Sequence, residues 1–174
     1  MDRGVAVRIF RILGYSLLTL ALAAGMFLYA ARFTDGPLEI ISGGPFTTGE
    51  QYIGEEPDWS FLRDRATVEF QLMEPARSRT TWIIEHKGKI YVPSGYMTTT
   101  WGKIWKQWPI QAEKDSRAIL RVDGKLYKRQ LRRIKSGPEL GPIAEKIRKK
   151  YNVSGGVEAA ESGYLWLFEM APAA

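Results

Sequence analysis

The sequence predicts an N-terminal single transmembrane α-helix followed by a mainly β domain, a small antiparallel barrel with one or two helices. Three observations carry this. Ile12 to Ala31 runs without one charged residue, and a helix of that length is ~30 Å long, enough to span a bilayer. After residue 58, apolar residues recur every second position in short runs separated by glycine-bearing turns, the period of half-buried strands. Only Ile143, Ile147 and Tyr151 repeat with convincing helical spacing in the remaining chain.

In chain order, residues 1–11 form a basic N-terminus. Arg3, Arg8 and Arg11 outweigh Asp2, whereas Arg32 and Asp35 downstream balance, which predicts that residues 1–11 stay in the cytoplasm and the rest lies outside. Localisation is accordingly a bacterial-type cytoplasmic membrane with a periplasmic, or at least extracytoplasmic, C-terminal domain. The span 12–31 carries Tyr15 and Tyr29 near its ends, where amphipathic rings favour the headgroup layer. Ala21-Leu22-Ala23 and Tyr29-Ala30-Ala31 also offer small residues for signal-peptide cleavage. Signal cores run to roughly 7–15 residues, however, so the length favours an uncleaved anchor.

Residues 32–57, with Gly36-Pro37, Gly43-Gly44-Pro45 and Gly49, read as an extended linker carrying the domain away from the membrane. The domain, residues 58–174, opens with Trp59 and Phe61, two aromatics for one end of the core. Strands are expected at Val68 to Leu72, Thr80 to Glu85, Lys89 to Val92, Ala118 to Val122, Lys125 to Arg129 and Tyr164 to Met170, with hairpin turns at Lys87-Gly88 and Asp123-Gly124. One helix is expected over Ile143 to Tyr151, with Pro142 in its first turn and lysines at its C-terminal end. A second, over Gly102 to Gln111, would put Ile104, Trp105 and Trp108 on one face.

Composition removes several chemistries. The formal charge of +6 is concentrated at the N-terminus: beyond residue 32 there are 21 basic and 18 acidic residues. With no cysteine, disulfides, thiolate metal sites and cysteine nucleophiles are excluded. The single histidine, His86, rules out a histidine zinc cluster, and its place beside a hairpin turn reads as a solvated turn residue. Glu55 and Glu56 fall in an exposed loop and suggest no acid-base pair. No metal site and no protein-borne catalytic residue are expected.

Arg79-Thr80-Thr81-Trp82, the Lys87-Gly88-Lys89 turn, Ile90-Tyr91-Val92-Pro93-Ser94, Lys103, Lys106-Gln107-Trp108 and Asp115-Ser116-Arg117-Ala118 leading into the Asp123-Gly124 hairpin together resemble the split β-barrel superfamily of flavin-binding proteins. Its members include pyridoxamine-phosphate-oxidase-like proteins and deazaflavin-dependent nitroreductases. The resemblance covers about residues 58 to 170 as an order of elements and implies a split barrel. It also implies that Arg79, Thr80, Thr81, Ser94 and Lys103 or Lys106 hold the phosphate of FMN or a deazaflavin, at the interface of a homodimer. Phosphate needs cationic charge and short donors converging from adjacent strands, so the residue types suit the role. The sequence departs from the pattern at Tyr96 to Gly102, an extra stretch that would reshape or fill the pocket.

Two functions follow from this reading. The first, which it favours, is a non-catalytic accessory subunit of a larger membrane protein complex, because the domain is exported unfolded to where free flavin is scarce and no sharp catalytic motif is present. Its contact residues would be Trp101, Trp105 and Trp108, with Lys128 and Arg132 on the basic run Lys125 to Lys135. The alternative is a membrane-anchored flavin- or deazaflavin-dependent oxidoreductase acting on a quinone or other small acceptor. Expected partners are the lipid bilayer and other membrane subunits; nucleic acid is excluded for a domain outside the cytoplasm.

Overall fold

The computed structural model describes residues 3–173. Its first element, α1 (Arg3–Ala30), continues through a 3-10 turn at Ala31–Phe33. By length and composition it is the one helix among the described residues able to cross a membrane, and its apolar window packs against nothing else in the chain.

The domain is a curled, mainly antiparallel sheet. Its strands are β1 (Glu50–Gln51), β2 (Thr67–Met73), β3 (Ala76–Trp82), β4 (Ile84–His86), β5 (Lys89–Ser94), β6 (Arg117–Val122), β7 (Lys125–Ile134) and β8 (Trp166–Pro172). They lie in the order β3-β2-β6-β7-β8-β5-β4, with β1 parallel to β7. The expected strand over Thr80 to Glu85 is therefore two strands. β3 and β4 occupy opposite ends of the sheet order yet are separated in sequence only by Ile83, so the sheet curls until its two edges meet there.

The crossing is held by the end of α4 (Leu140–Tyr151). The Ile83 N–H donates to Tyr151 Oη at 2.9 Å, that hydroxyl lies 2.6 Å from the Ala66 carbonyl, and Lys150 Nζ donates to the Ile83 carbonyl at 2.9 Å. Burial pushes the Tyr151 phenol up to about 12, which keeps the hydroxyl a donor.

Strand periodicity builds two cores. Inside the curl, Trp59, Phe70, Leu120 and Phe168 pack together with Trp108. On the outer face, Ile84, Tyr91 and Leu167 meet Leu140, Ile143 and Ile147 of α4, beside α5 (Gly156–Glu161). Neighbours Leu167 and Phe168 thus enter different cores, as alternating side chains must. Both expected hairpin turns form: Lys87-Gly88 and Asp123-Gly124 have positive φ at both positions, the type I′ requirement.

Three sequence expectations need correction. Residues 34–58 do not run free as a spacer but strap back over the sheet. Asp35 pairs with Arg121 at 3.0 Å, Gly43 bridges to Ser78, and the Arg77 guanidinium donates to the Ser42 and Gly43 carbonyls at 2.7 and 2.8 Å. His86 is buried rather than solvated: it ends β4 and its Nε2 lies 2.8 Å from Glu139. The helix expected over Gly102 to Gln111 is two, α2 (Thr100–Trp105) and α3 (Trp108–Lys114), because Pro109 lacks an N–H and belongs in a first turn. Ile104 and Trp105 consequently face outward while Trp108 enters the core. At the end of β3, Trp82 is half exposed and stacks on Tyr151 at 4.2 Å.

Candidate functional site

Where the β3 edge meets α4 and the turn between α2 and α3, the domain opens a cleft of about 1140 Å³. β3 supplies Arg79, Thr80, Thr81 and Trp82. The segment after β5 supplies Tyr96, and the helical turn supplies Trp105, Lys106 and Trp108. Arg32 reaches it from the turn that ends α1, Ile40 from the strap, Ile147 and Arg148 from α4, and Tyr164 from the approach to β8.

Arg79 stands opposite Phe70 in the β2–β3 register. Its guanidinium carbon lies 5.5 Å from the Phe70 ring centre and 5.9 Å from that of Trp108. Its Nε is buried with no hydrogen-bond partner, and no carboxylate pairs with it among the described residues. Burial, and then the neighbouring charge of Arg77, pull its pKa down to about 10, so it stays cationic at neutral pH. Arg79 as a whole is half-buried, but its orphaned Nε donor has no water to turn to, which is a costly arrangement.

Lys106 is the second uncompensated cation. Its Nζ sits 5.4 Å from the Tyr96 ring centre, makes no ion pair among the described residues, and has its pKa lowered by burial. Arg77 and Arg148, by contrast, are occupied: the first by strap carbonyls, the second by Glu145 at 2.7 Å. Among the described residues, Glu39 is the one carboxylate on the cleft wall. The site therefore presents two half-buried cations without ion pairs, Arg79 and Lys106, with exposed Arg32 nearby, to a space walled by Trp82, Tyr96, Trp105, Trp108 and Tyr164. That combination suits an anion attached to a planar ring.

The structure brings together Arg79, Thr80, Thr81 and Lys106 of the residues expected to hold a phosphate. It separates two others. Ser94 is buried behind the wall, where its hydroxyl donates to Met97 Sδ at 3.4 Å, and Lys103 projects from α2 away from the cleft. Of the expected contact residues, Trp105 and Trp108 line the cleft, Trp101 is exposed outside it, and Lys128 and Arg132 are exposed on β7, alternating with buried Tyr127, Arg129 and Leu131.

The extra stretch Tyr96 to Gly102 does not fill the space. Thr99 caps α2 by accepting from the Gly102 N–H at 3.0 Å, and Gly102 packs so closely on the Tyr96 carbonyl that a β-carbon would collide. The stretch folds outward and leaves only Tyr96 on the wall. Tyr96 falls in the extra stretch the sequence marked as reshaping the pocket, whereas Tyr164, Arg32 and Ile40 carried no signal, because their place depends on how the segments after α1 and α5 dock. Among the described residues, no three metal-ligating side chains converge, and His86 lies outside the cleft.

No protein-family model matches this chain, and no curated protein does. Among solved structures, the chain is similar to the crystal structure of conserved hypothetical protein Rv2991 from Mycobacterium tuberculosis, with a TM-score of 0.47 at 9% identity over 75% of this chain and 86% of that one.

Proposed function

We propose that this protein is a membrane-anchored domain whose cleft binds a phosphate-bearing ring cofactor, FMN or a phosphorylated deazaflavin. The observation that carries the reading is Arg79, half-buried, with its Nε buried and unbonded and no carboxylate partner among the described residues, in the same aromatic-walled cleft as Lys106. A cation left without a partner inside a fold is costly, and a bound phosphate would offset that cost. This is the chemistry that the split-barrel resemblance implies. It makes the oxidoreductase the better supported of the two functions read from the sequence.

Arg79 and Lys106 would hold the phosphate, with the Thr80 and Thr81 hydroxyls as further donors, while Tyr96, Trp105 and Trp108 offer ring faces. A bound flavin or deazaflavin supplies hydride transfer. The chain's own part is to bind and orient it and to screen it from water, which explains why the cleft needs no nucleophile and only one carboxylate.

In the same reading, α1 crosses a cytoplasmic membrane with Arg3, Arg8 and Arg11 inside and the domain outside. Its exposed apolar length and its one-sided arginines support this. The non-catalytic subunit remains the second reading, favoured by Lys128 and Arg132, which stand exposed on β7 without ion pairs among the described residues and offer a surface to an acidic partner.

The test is titration of the full-length protein in lipid nanodiscs with FMN, read by quenching of flavin fluorescence. Arg79→Ala and Lys106→Ala should each weaken binding about tenfold or more, the worth of a charge-assisted hydrogen bond. Unchanged affinity in both variants would remove these residues from the site and leave the accessory subunit as the reading.

A further inference from the structure

We propose that α2 is a second membrane contact, its Trp101, Ile104 and Trp105 face seated in the interfacial layer of an anionic bilayer beside the point where α1 emerges. The inference rests on the reading of α1 as a membrane anchor. Positions i, i+3 and i+4 share one face of a helix, and on α2 all three are large apolar residues that stand open: Trp101 is 78% exposed, Ile104 65% and Trp105 71%. Gly102, on the flank of this face, is buried against the Tyr96 carbonyl, so α2 is seated on the domain with the face left open. A soluble surface does not ordinarily gather two tryptophans and an isoleucine on two turns of helix.

The occupant is identified by what adjoins this face. Trp105 lines the same cleft as Leu28 and Arg32, at the C-terminal end of α1 and just beyond it, and as Ile40, which is 90% exposed on the strap. Three separate segments thus place apolar side chains on one rim, and one of those segments is the apolar helix itself. Charge points the same way: Arg32 and Lys106 accompany the rim, against Glu39, which suits anionic headgroups. Indole rings prefer this layer, where the ring is shielded and its N–H remains wet. The cleft would then open at the membrane surface rather than to bulk solvent.

The chain has no cysteine, so single spin labels can be placed without background. Leu22→Cys, Ile104→Cys and Ser136→Cys, each labelled in the full-length protein in nanodiscs containing phosphatidylglycerol, report the middle of α1, the α2 face and an exposed loop of the domain. Collision with oxygen is compared with collision with a water-soluble nickel chelate. The proposal predicts oxygen-dominated relaxation at 22 and 104 and nickel-dominated relaxation at 136. A lipid-like label at 22 with a water-like label at 104 overturns the α2 contact and leaves the anchor standing. A water-like label at 22 overturns the anchor and this inference with it. A label at 104 shielded from both reagents overturns it as well, by showing that a protein partner covers the face.

Discussion

Arg79 and Tyr151 show how differently two polar residues serve this fold. Arg79 is costly to the apo domain, since its Nε is buried and unbonded. Replacing it with an apolar residue of similar length should therefore leave stability unchanged or raise it, as happens when a buried charge is replaced by packed hydrocarbon. Arg79→Met is expected to unfold in urea at the same or a higher midpoint while losing FMN affinity; a midpoint clearly lower than wild type would mark the arginine as structural. Tyr151 is the opposite case. Its hydroxyl satisfies the buried Ile83 N–H at 2.9 Å at the one residue joining the two edges of the sheet. Tyr151→Phe strands that donor and should cost about 1–3 kcal/mol, read as a lower urea midpoint with an unchanged slope. A loss within a few tenths of a kcal/mol would mean the crossing is held by Lys150 and packing alone.

At the scale of elements, the strap over residues 34–58 is the least anticipated part of the structure. Its glycines and prolines describe a chain without helix or strand, but not whether that chain hangs free or docks. The decision lies with single polar contacts made far away in sequence. Asp35 accepts hydrogen bonds from the Thr48 hydroxyl and from the Thr47 N–H, the latter at 2.7 Å, and pairs with Arg121. The Thr48 hydroxyl, then the Thr47 N–H, hold its carboxyl far below the usual carboxylate range. A depressed folded pKa contributes stability that is complete above the unfolded value of about 4 and is lost as pH falls toward the folded one. The strap should accordingly stay docked through pH 4 and release only in stronger acid, whereas Asp35→Asn should release it at neutral pH. Limited proteolysis between residues 36 and 58 checks this, and equal cleavage of wild type and variant at pH 7 would contradict it.

Elsewhere the elements were legible in proportion to their locality. The β5, β6 and α4 spans, the alternation of β2 and β8 and both type I′ turns follow from neighbours in the chain. The break between α2 and α3 follows from Pro109. The split of Thr80 to Glu85 into strands at opposite ends of the sheet does not, because a continuous β-branched run carries no mark of where it changes partners. His86 likewise reads as a turn residue until Glu139, brought up beside α4, covers it.

For the whole molecule, the cleft is the feature that only the assembled fold can make. Arg79, Thr80 and Thr81 were legible as candidates, and Lys106 with them, but Ser94 and Lys103 belong to the same short motif and point elsewhere. Motif spacing records which residues are near in sequence; it does not record which side of a wall each one faces. The aromatic walls draw on segments spread from β3 to the approach to β8, so no local pattern predicts them. If the unpaired cations of that cleft are there to meet a phosphate, the phosphate itself should govern affinity. The most direct measurement is a calorimetric titration of the full-length protein in nanodiscs with FMN, with a phosphorylated deazaflavin and with riboflavin, which keeps the ring and lacks the anion. The account predicts that at least one phosphorylated ligand binds tenfold or more tightly than riboflavin, about 1.4 kcal/mol or more, with an advantage that shrinks as salt rises. Riboflavin binding as tightly as both phosphorylated ligands, or no binding by any of the three, would contradict it.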